Sequence, residues 1–126
     1  MMMGYVALAI IILISALLTS FMGFLSRTTD ELKELISLTD TFVENGEFQQ
    51  AFLYFKKAKG NWEKWEKIYE LQIENEELDN ISGIFSEIEA YFEKKFFEDY
   101  FEASYRLKFY IDHIRTKNKV SLETVL

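Results

Sequence analysis

No charged side chain occurs from Met1 to Ser26, and from Tyr5 to Leu18 the chain is almost continuously apolar: Val6, Leu8, Ile10, Ile11, Ile12, Leu13, Ile14, Leu17 and Leu18. A helix rises ~1.5 Å per residue, so about 20 residues cross a hydrocarbon core of roughly 30 Å, and Tyr5 to Leu25 is a run of that length. Residues 1–26 are therefore read as a transmembrane anchor, and residues 27–126 as one acidic helical domain large enough for its own core. Retention of the anchor is expected over cleavage. A secretory signal needs a basic start and small residues at the cleavage point, whereas no Lys or Arg precedes the run and Ser20-Phe21-Met22-Gly23 is bulky there. The basic residues just after the span, Arg27 and Lys33, nominally keep the C-terminal side in the cytoplasm. Gly4, Ala7, Ala9 and Ala16 give no clear small-xxx-small pairing face.

The rest of the sequence narrows the fold to helix. It has no Pro, few Gly and 12 Phe, a composition that favours uninterrupted helices with large aromatic contacts. Leu32, Leu35, Ile36, Thr39, Phe42 and Val43 share one helical face. Thr28-Thr29-Asp30-Glu31 has the form of a capping box, which would start a separate helix. Because neither Gly nor Pro interrupts the join, the first helix is instead expected to run on from the anchor to Glu44.

Asn45-Gly46 is the clearest stop. A second helix, about Glu47 to Glu74, would turn Phe48, Ala51, Phe52, Phe55, Ala58, Trp62, Trp65, Tyr69 and either Leu71 or Ile73 inward, with Gly60-Asn61 kinking or interrupting it. A third, from about Asn75-Glu76 to Lys94-Lys95, places Leu78, Ile81, Ile84, Phe85, Ile88, Tyr91 and Phe92 on one face. A fourth, about Phe97 to Thr116, buries Tyr100, Phe101, Ala103, Leu107, Tyr110, Ile111 and Ile114. The tail carries Val120, Leu122, Val125 and Leu126 and either docks or frays. Val43-Glu44-x3-Phe48-x3-Phe52 matches Phe92-Glu93-x3-Phe97-x3-Phe101 at an offset of 49 residues, which suggests two stacked helical hairpins. The expected class is all-α: a transmembrane helix followed by a small antiparallel bundle of two hairpins.

Composition also limits function. A net charge of -7, carried entirely after the anchor, argues against nucleic acid and against an electrostatic hold on an anionic leaflet. Without Cys there are no disulfides, thiolate metal sites or thiol chemistry. His113 lacks the Glu-x-x-His spacing of metal-binding helices, since Tyr110 stands three residues before it. The Glu74, Glu76, Glu77 and Asp79 cluster lacks calcium-loop geometry and reads as a solvated turn. No nucleophile-and-base spacing or phosphate loop is present, so no catalytic, cofactor-binding or metal residues are assigned, and the chain is not read as an enzyme. Trp62 and Trp65 with Phe55, Tyr69, Tyr91 and Tyr110 would make either an aromatic box for a ligand or, as expected of a small bundle, its core.

Gly46-Glu47-Phe48-x2-Ala51-x3-Phe55-x2-Ala58 resembles the second helix of a tetratricopeptide repeat, although Asn80 and Phe85 stand where the next repeat needs Gly and Ala. Trp62-x2-Trp65, the turn Glu76-Glu77-Leu78-Asp79-Asn80-Ile81, Ala90-Tyr91, the stretch Leu107 to His113-Ile114 and then Ser121-Leu122-Glu123 together resemble the family catalogued as domain of unknown function 4363. That resemblance covers nearly the whole chain. It implies a short bacterial protein with one N-terminal membrane helix and an all-helical remainder. In that family a His is common where this chain has Asn75 and an Arg where it has Glu87. The resemblance further implies a helical part outside the cytoplasm, and for some members a neighbouring small membrane protein as partner. The expected role is a single-pass membrane-anchored interaction or structural module acting with another membrane or envelope protein. Its rival is a tetratricopeptide-like receptor for a peptide or small ligand. Phe48, Phe55, Trp62, Trp65, Ile81, Ile88, Leu107 and Ile114 are expected to carry the packing.

Overall fold

A computed structural model describes the backbone of residues 2–125 and the side chains of residues 2–119. Its four helices are α1 (Met2–Glu44), α2 (Phe48–Tyr69), α3 (Asn75–Lys94) and α4 (Phe97–Val125). Val120, Leu122, Val125 and Leu126, the expected tail contacts, lie outside the described side chains.

α1 runs unbroken for 43 residues, ~65 Å of helix. Thr28 and Thr29 do not cap a new helix. Their hydroxyls donate back to the carbonyls of Phe24 and Leu25, at 2.8 and 2.6 Å, so the polar groups are satisfied inside the helix and nothing breaks it. The two halves of α1 differ in their surroundings. From Val6 to Leu17 the large apolar side chains expose 50–61% of their surface. From Leu25 onward one face is buried through Thr28, Thr29, Leu32, Ile36, Thr39 and Val43.

That second half forms one corner of an up-down-up-down bundle. α1 packs on α2 and α4, and α3 packs on α2 and α4. The paired residues fix the direction: Asp30 meets Arg115, Lys33 meets Asp112, and Asp40 meets Lys108, so descending α1 means ascending α4. The turns after α1 and α3 therefore lie at the end far from the apolar segment. The α2–α3 turn lies at the near end, where Tyr69 touches Phe24 and Thr28. The core holds Phe55, Trp62, Tyr69, Leu78, Ile81, Phe85, Ile88, Tyr100, Leu107, Ile111 and Ile114, all nearly inaccessible.

Several sequence expectations need correction. α2 passes through Gly60-Asn61 without interruption; Gly60 is exposed, and a single helical Gly costs only about 1 kcal/mol. α2 ends at Tyr69, not Glu74. There the bonding tightens, with Leu71 N–H to the Ile68 carbonyl at 3.1 Å and Gln72 N–H to the Tyr69 carbonyl at 3.0 Å. This fold-over turns Ile73 into the core, 5% exposed, and leaves Leu71 75% exposed. α4 continues past Thr116 to Val125, and within it the Asn118 side-chain amide donates to the Ile114 carbonyl at 2.6 Å. Phe48 and Phe101, expected inside, stay 39% and 41% exposed, and Trp65, Tyr91 and Tyr110 are half-buried.

Candidate functional site

Three places in the bundle bring together side chains with chemical or binding potential. The first is the end remote from the apolar segment. The chain leaves α1 through Gly46 (φ 73°) and α3 through Lys95 (φ 61°), each in the left-handed conformation. In each turn the following N–H reaches back five residues, Glu47 to the Phe42 carbonyl and Phe96 to the Tyr91 carbonyl, both at 2.9 Å. The two matching turns deliver Phe48 and Phe97 face to face, rings stacked at 3.8 Å. With Gln49, Phe52, Phe92 and Lys95 they line an open apolar pit of about 420 Å³.

The second is a polar knot between α1 and α4. The Asp40 carboxylate accepts hydrogen bonds from Tyr100 and Ser104, both at 2.6 Å, and from Lys108 at 2.7 Å. Burial, and next the charge of Asp40, push the Tyr100 hydroxyl well above the ordinary phenol range. The three donors, all from α4, tie Asp40 of α1 to that helix and help to fix the register of α4 on α1.

The third is the acidic turn with His113. Glu77 receives Lys117 at 2.9 Å and lies 3.5 Å from the imidazole of His113, which is half exposed and stacked on Phe109. Glu77 thus holds two side chains of α4 against α3. Among the described residues, no group of three or more His, Asp or Glu side chains is arranged to hold a metal ion.

The residues proposed for an aromatic box divide between core and seam. Phe55, Trp62 and Tyr69 are internal: Phe85 packs against both Phe55 and Trp62, at 5.9 and 6.1 Å, and Trp62 against Tyr69 at 5.7 Å. The Trp62 indole N–H donates to Ser82 at 2.9 Å, and the pKa of nearby Glu66 is raised because the α2–α3 seam desolvates it. Tyr91 bonds Glu87 at 2.6 Å, and Arg106 joins that same carboxylate at 2.8 Å. The Tyr91 bond and the Arg106 charge together keep the Glu87 acid below its usual range. Glu87, at the position where the resemblance led one to expect an Arg, is thus the acceptor for a cation that comes from α4.

Sequence reasoning passed over two surfaces. Phe101, Tyr105 and Phe109 form a solvent-facing line along α4, signalled by their four-residue spacing; Tyr105 is 70% exposed. Leu71 and Ile68 stand out of the α2–α3 turn region, 75% and 40% exposed.

Fold and surfaces together define a class: a four-helix bundle built on the second half of a helix whose first half is apolar, uncovered and long enough to cross a membrane. The chain belongs to the family described as Domain of unknown function (DUF4363), whose profile matches residues 20–125. No curated protein and no solved structure matches it.

Proposed function

We propose that the chain is a single-pass, membrane-anchored helical module that holds its bundle against another membrane or envelope protein as an interaction or structural partner. One observation carries the reading: the bare apolar half of α1 passes without a break into the half that builds the bundle. A side-chain surface of that apolarity is stable in hydrocarbon and unstable in water. Thr19 within it is compatible with lipid, since its hydroxyl is satisfied by the Ser15 carbonyl at 2.8 Å. The partner face is the aromatic line Phe101, Tyr105 and Phe109, because exposed Tyr and Phe supply much of the energy at protein contacts. The reading includes no catalysis: Asp40 is engaged with Tyr100, Ser104 and Lys108, and Glu77 with Lys117 and His113.

A second reading is favoured by the pit beside Phe48 and Phe97, whose volume falls in the range of small-ligand sites. In this version of the tetratricopeptide-like receptor, one apolar side chain or small molecule enters the remote end of the bundle. The groove between helices is not available to it, because Phe55 and Trp62 fill the interior.

Extraction of membranes with alkaline carbonate tests the anchor. The full chain is expected to stay in the pellet, and its release would overturn the proposal. In the Cys-free protein, Lys119→Cys then reports the side of the bundle to a membrane-impermeant maleimide. A photo-reactive residue at Tyr105 tests the partner face, with Gln50 on the exposed side of α2 as control; equal adducts at both would discard the α4 surface.

A further inference from the structure

We infer that the near end of the bundle rests on the lipid surface, with Leu71 and Ile68 of the α2–α3 turn region inserted at the edge of the hydrocarbon beside the emerging α1. The inference depends on reading the first part of α1 as a span. About 20 helical residues fill the hydrocarbon, and the first charge is Arg27, so the water boundary falls between Phe21 and Leu25. Phe21, Met22 and Phe24 already pack on the bundle core, and Tyr69 touches both Phe24 and Thr28. The bundle therefore starts at the depth where the hydrocarbon stops, with no stalk between them. Leu71 lies two residues beyond Tyr69, in the turn that closes this end of the bundle.

At that depth the pattern of exposure makes physical sense. Ile73 folds into the core while Leu71, equally apolar, is left 75% exposed, and Ile68 on the last turn of α2 is 40% exposed. An aqueous turn gains nothing from two large aliphatic side chains; one lying on a leaflet removes them from water. Lys67 and Glu70, which flank the pair and are exposed, stay at the level of the headgroups, where the Lys67 stem can lie along apolar surface and its ammonium can reach phosphates. The contact is aliphatic rather than electrostatic, which suits a chain of net charge -7. Continuity with the span identifies the occupant as lipid, since any surface at this height beside α1 meets the bilayer.

The test uses three single-Cys variants of the full chain, each labelled with an environment-sensitive fluorophore and reconstituted in phosphatidylcholine vesicles. They are Ile12→Cys in the span, Leu71→Cys in the turn, and Leu53→Cys, exposed toward the other end of α2. The Leu71 label is expected to emit to the blue of the Leu53 label, to be quenched by a nitroxide near the lipid headgroup and to resist aqueous iodide. A Leu71 label quenched by iodide as fully as the Leu53 label, with the Ile12 label still protected, would overturn the contact and leave the span intact. Iodide quenching at Ile12 would instead overturn the span, and the contact with it. The helical circular dichroism of each variant verifies that these exposed substitutions leave the bundle folded.

Discussion

At the scale of single residues, Trp62 and Tyr69 show how the interior is specified. Trp62 is 1% exposed, its ring lies between Tyr69 and Phe85, and its one donor is used on Ser82. Trp62→Ala should lower stability by about 3–5 kcal/mol, and Trp65→Ala by distinctly less, because Trp65 is only half-buried. Equal drops in melting temperature would refute that ordering. Tyr69 carries a pH signature. Burial, aided by Glu31 and opposed by the Thr28 hydroxyl, raises its pKa from 10.0 to about 12, so the folded chain holds the phenol proton more tightly than the unfolded chain. Its contribution is whole below pH 10 and is lost as pH rises toward 12, an effect of about 2–3 kcal/mol. Denaturant midpoints measured across that interval should fall more steeply for the native chain than for Tyr69→Phe. Parallel slopes would show that Tyr69 is not the group responsible. The burial of Trp62 could be read from helical spacing, but its Ser82 partner could not, because which side chains meet across α2 and α3 depends on register.

At the scale of elements, α1 and α3 end in the same way although different residues do it. Gly46 and Lys95 occupy equivalent places in the two halves, as do Phe48 and Phe97, so the offset seen between Val43-Glu44 and Phe92-Glu93 corresponds to a real repetition of turn geometry. Asn45-Gly46 was legible as a stop because Gly prefers this conformation. Lys94-Lys95 was also legible as an end, but the left-handed conformation of Lys95 was not, because a Lys there is strained by the contact between its Cβ and the following carbonyl. Lys95→Gly is accordingly expected to raise stability by about 0.5–1 kcal/mol, and Gly46→Ala to lower it by about 1 kcal/mol, both measured by thermal unfolding. A loss of stability in Lys95→Gly would mean that the lysine stem contributes packing over the Phe52 and Phe97 pit that outweighs its strain. The end of α2 was misplaced for a related reason. The amphipathic pattern continues through Leu71 and Ile73, yet the chain needs a fold-over after Tyr69, and only one of the two side chains can face inward. The path of α4 was legible from Tyr100 to Ile114, whereas its knot on Asp40 was hidden, since an acid at that position looks like any solvated carboxylate.

At the scale of the whole molecule, the decisive fact is that one helix belongs to two environments. Division at Ser26 is the natural cut in composition, because charge begins at Arg27. Packing begins earlier: Leu25 is fully buried, and Phe21, Met22 and Phe24 lie against the core, with Phe24 edge-on to Tyr69 at 5.9 Å. We propose that residues 20–26 serve both as the end of the anchor and as the first turns of the bundle, so that the domain is not separable at the charge boundary. A fragment starting at Arg27 would lose Leu25, and with Phe24 it would lose the ring that lies against Tyr69. Full burial of one Leu or Phe side chain contributes about 1.5–3 kcal/mol, so removing Leu25 with the partly buried aromatics should cost several kcal/mol. That is a large part of what a domain of this size possesses. A fragment starting at Ser20 should therefore unfold cooperatively at a clearly higher denaturant concentration than one starting at Arg27, with a comparable slope. If the two midpoints coincide, the residues before Arg27 act as anchor alone and the bundle is an independent body tethered to it. If they separate as expected, the orientation of the bundle is fixed by the helix that carries it, and any partner meets the α4 face at a set angle and height.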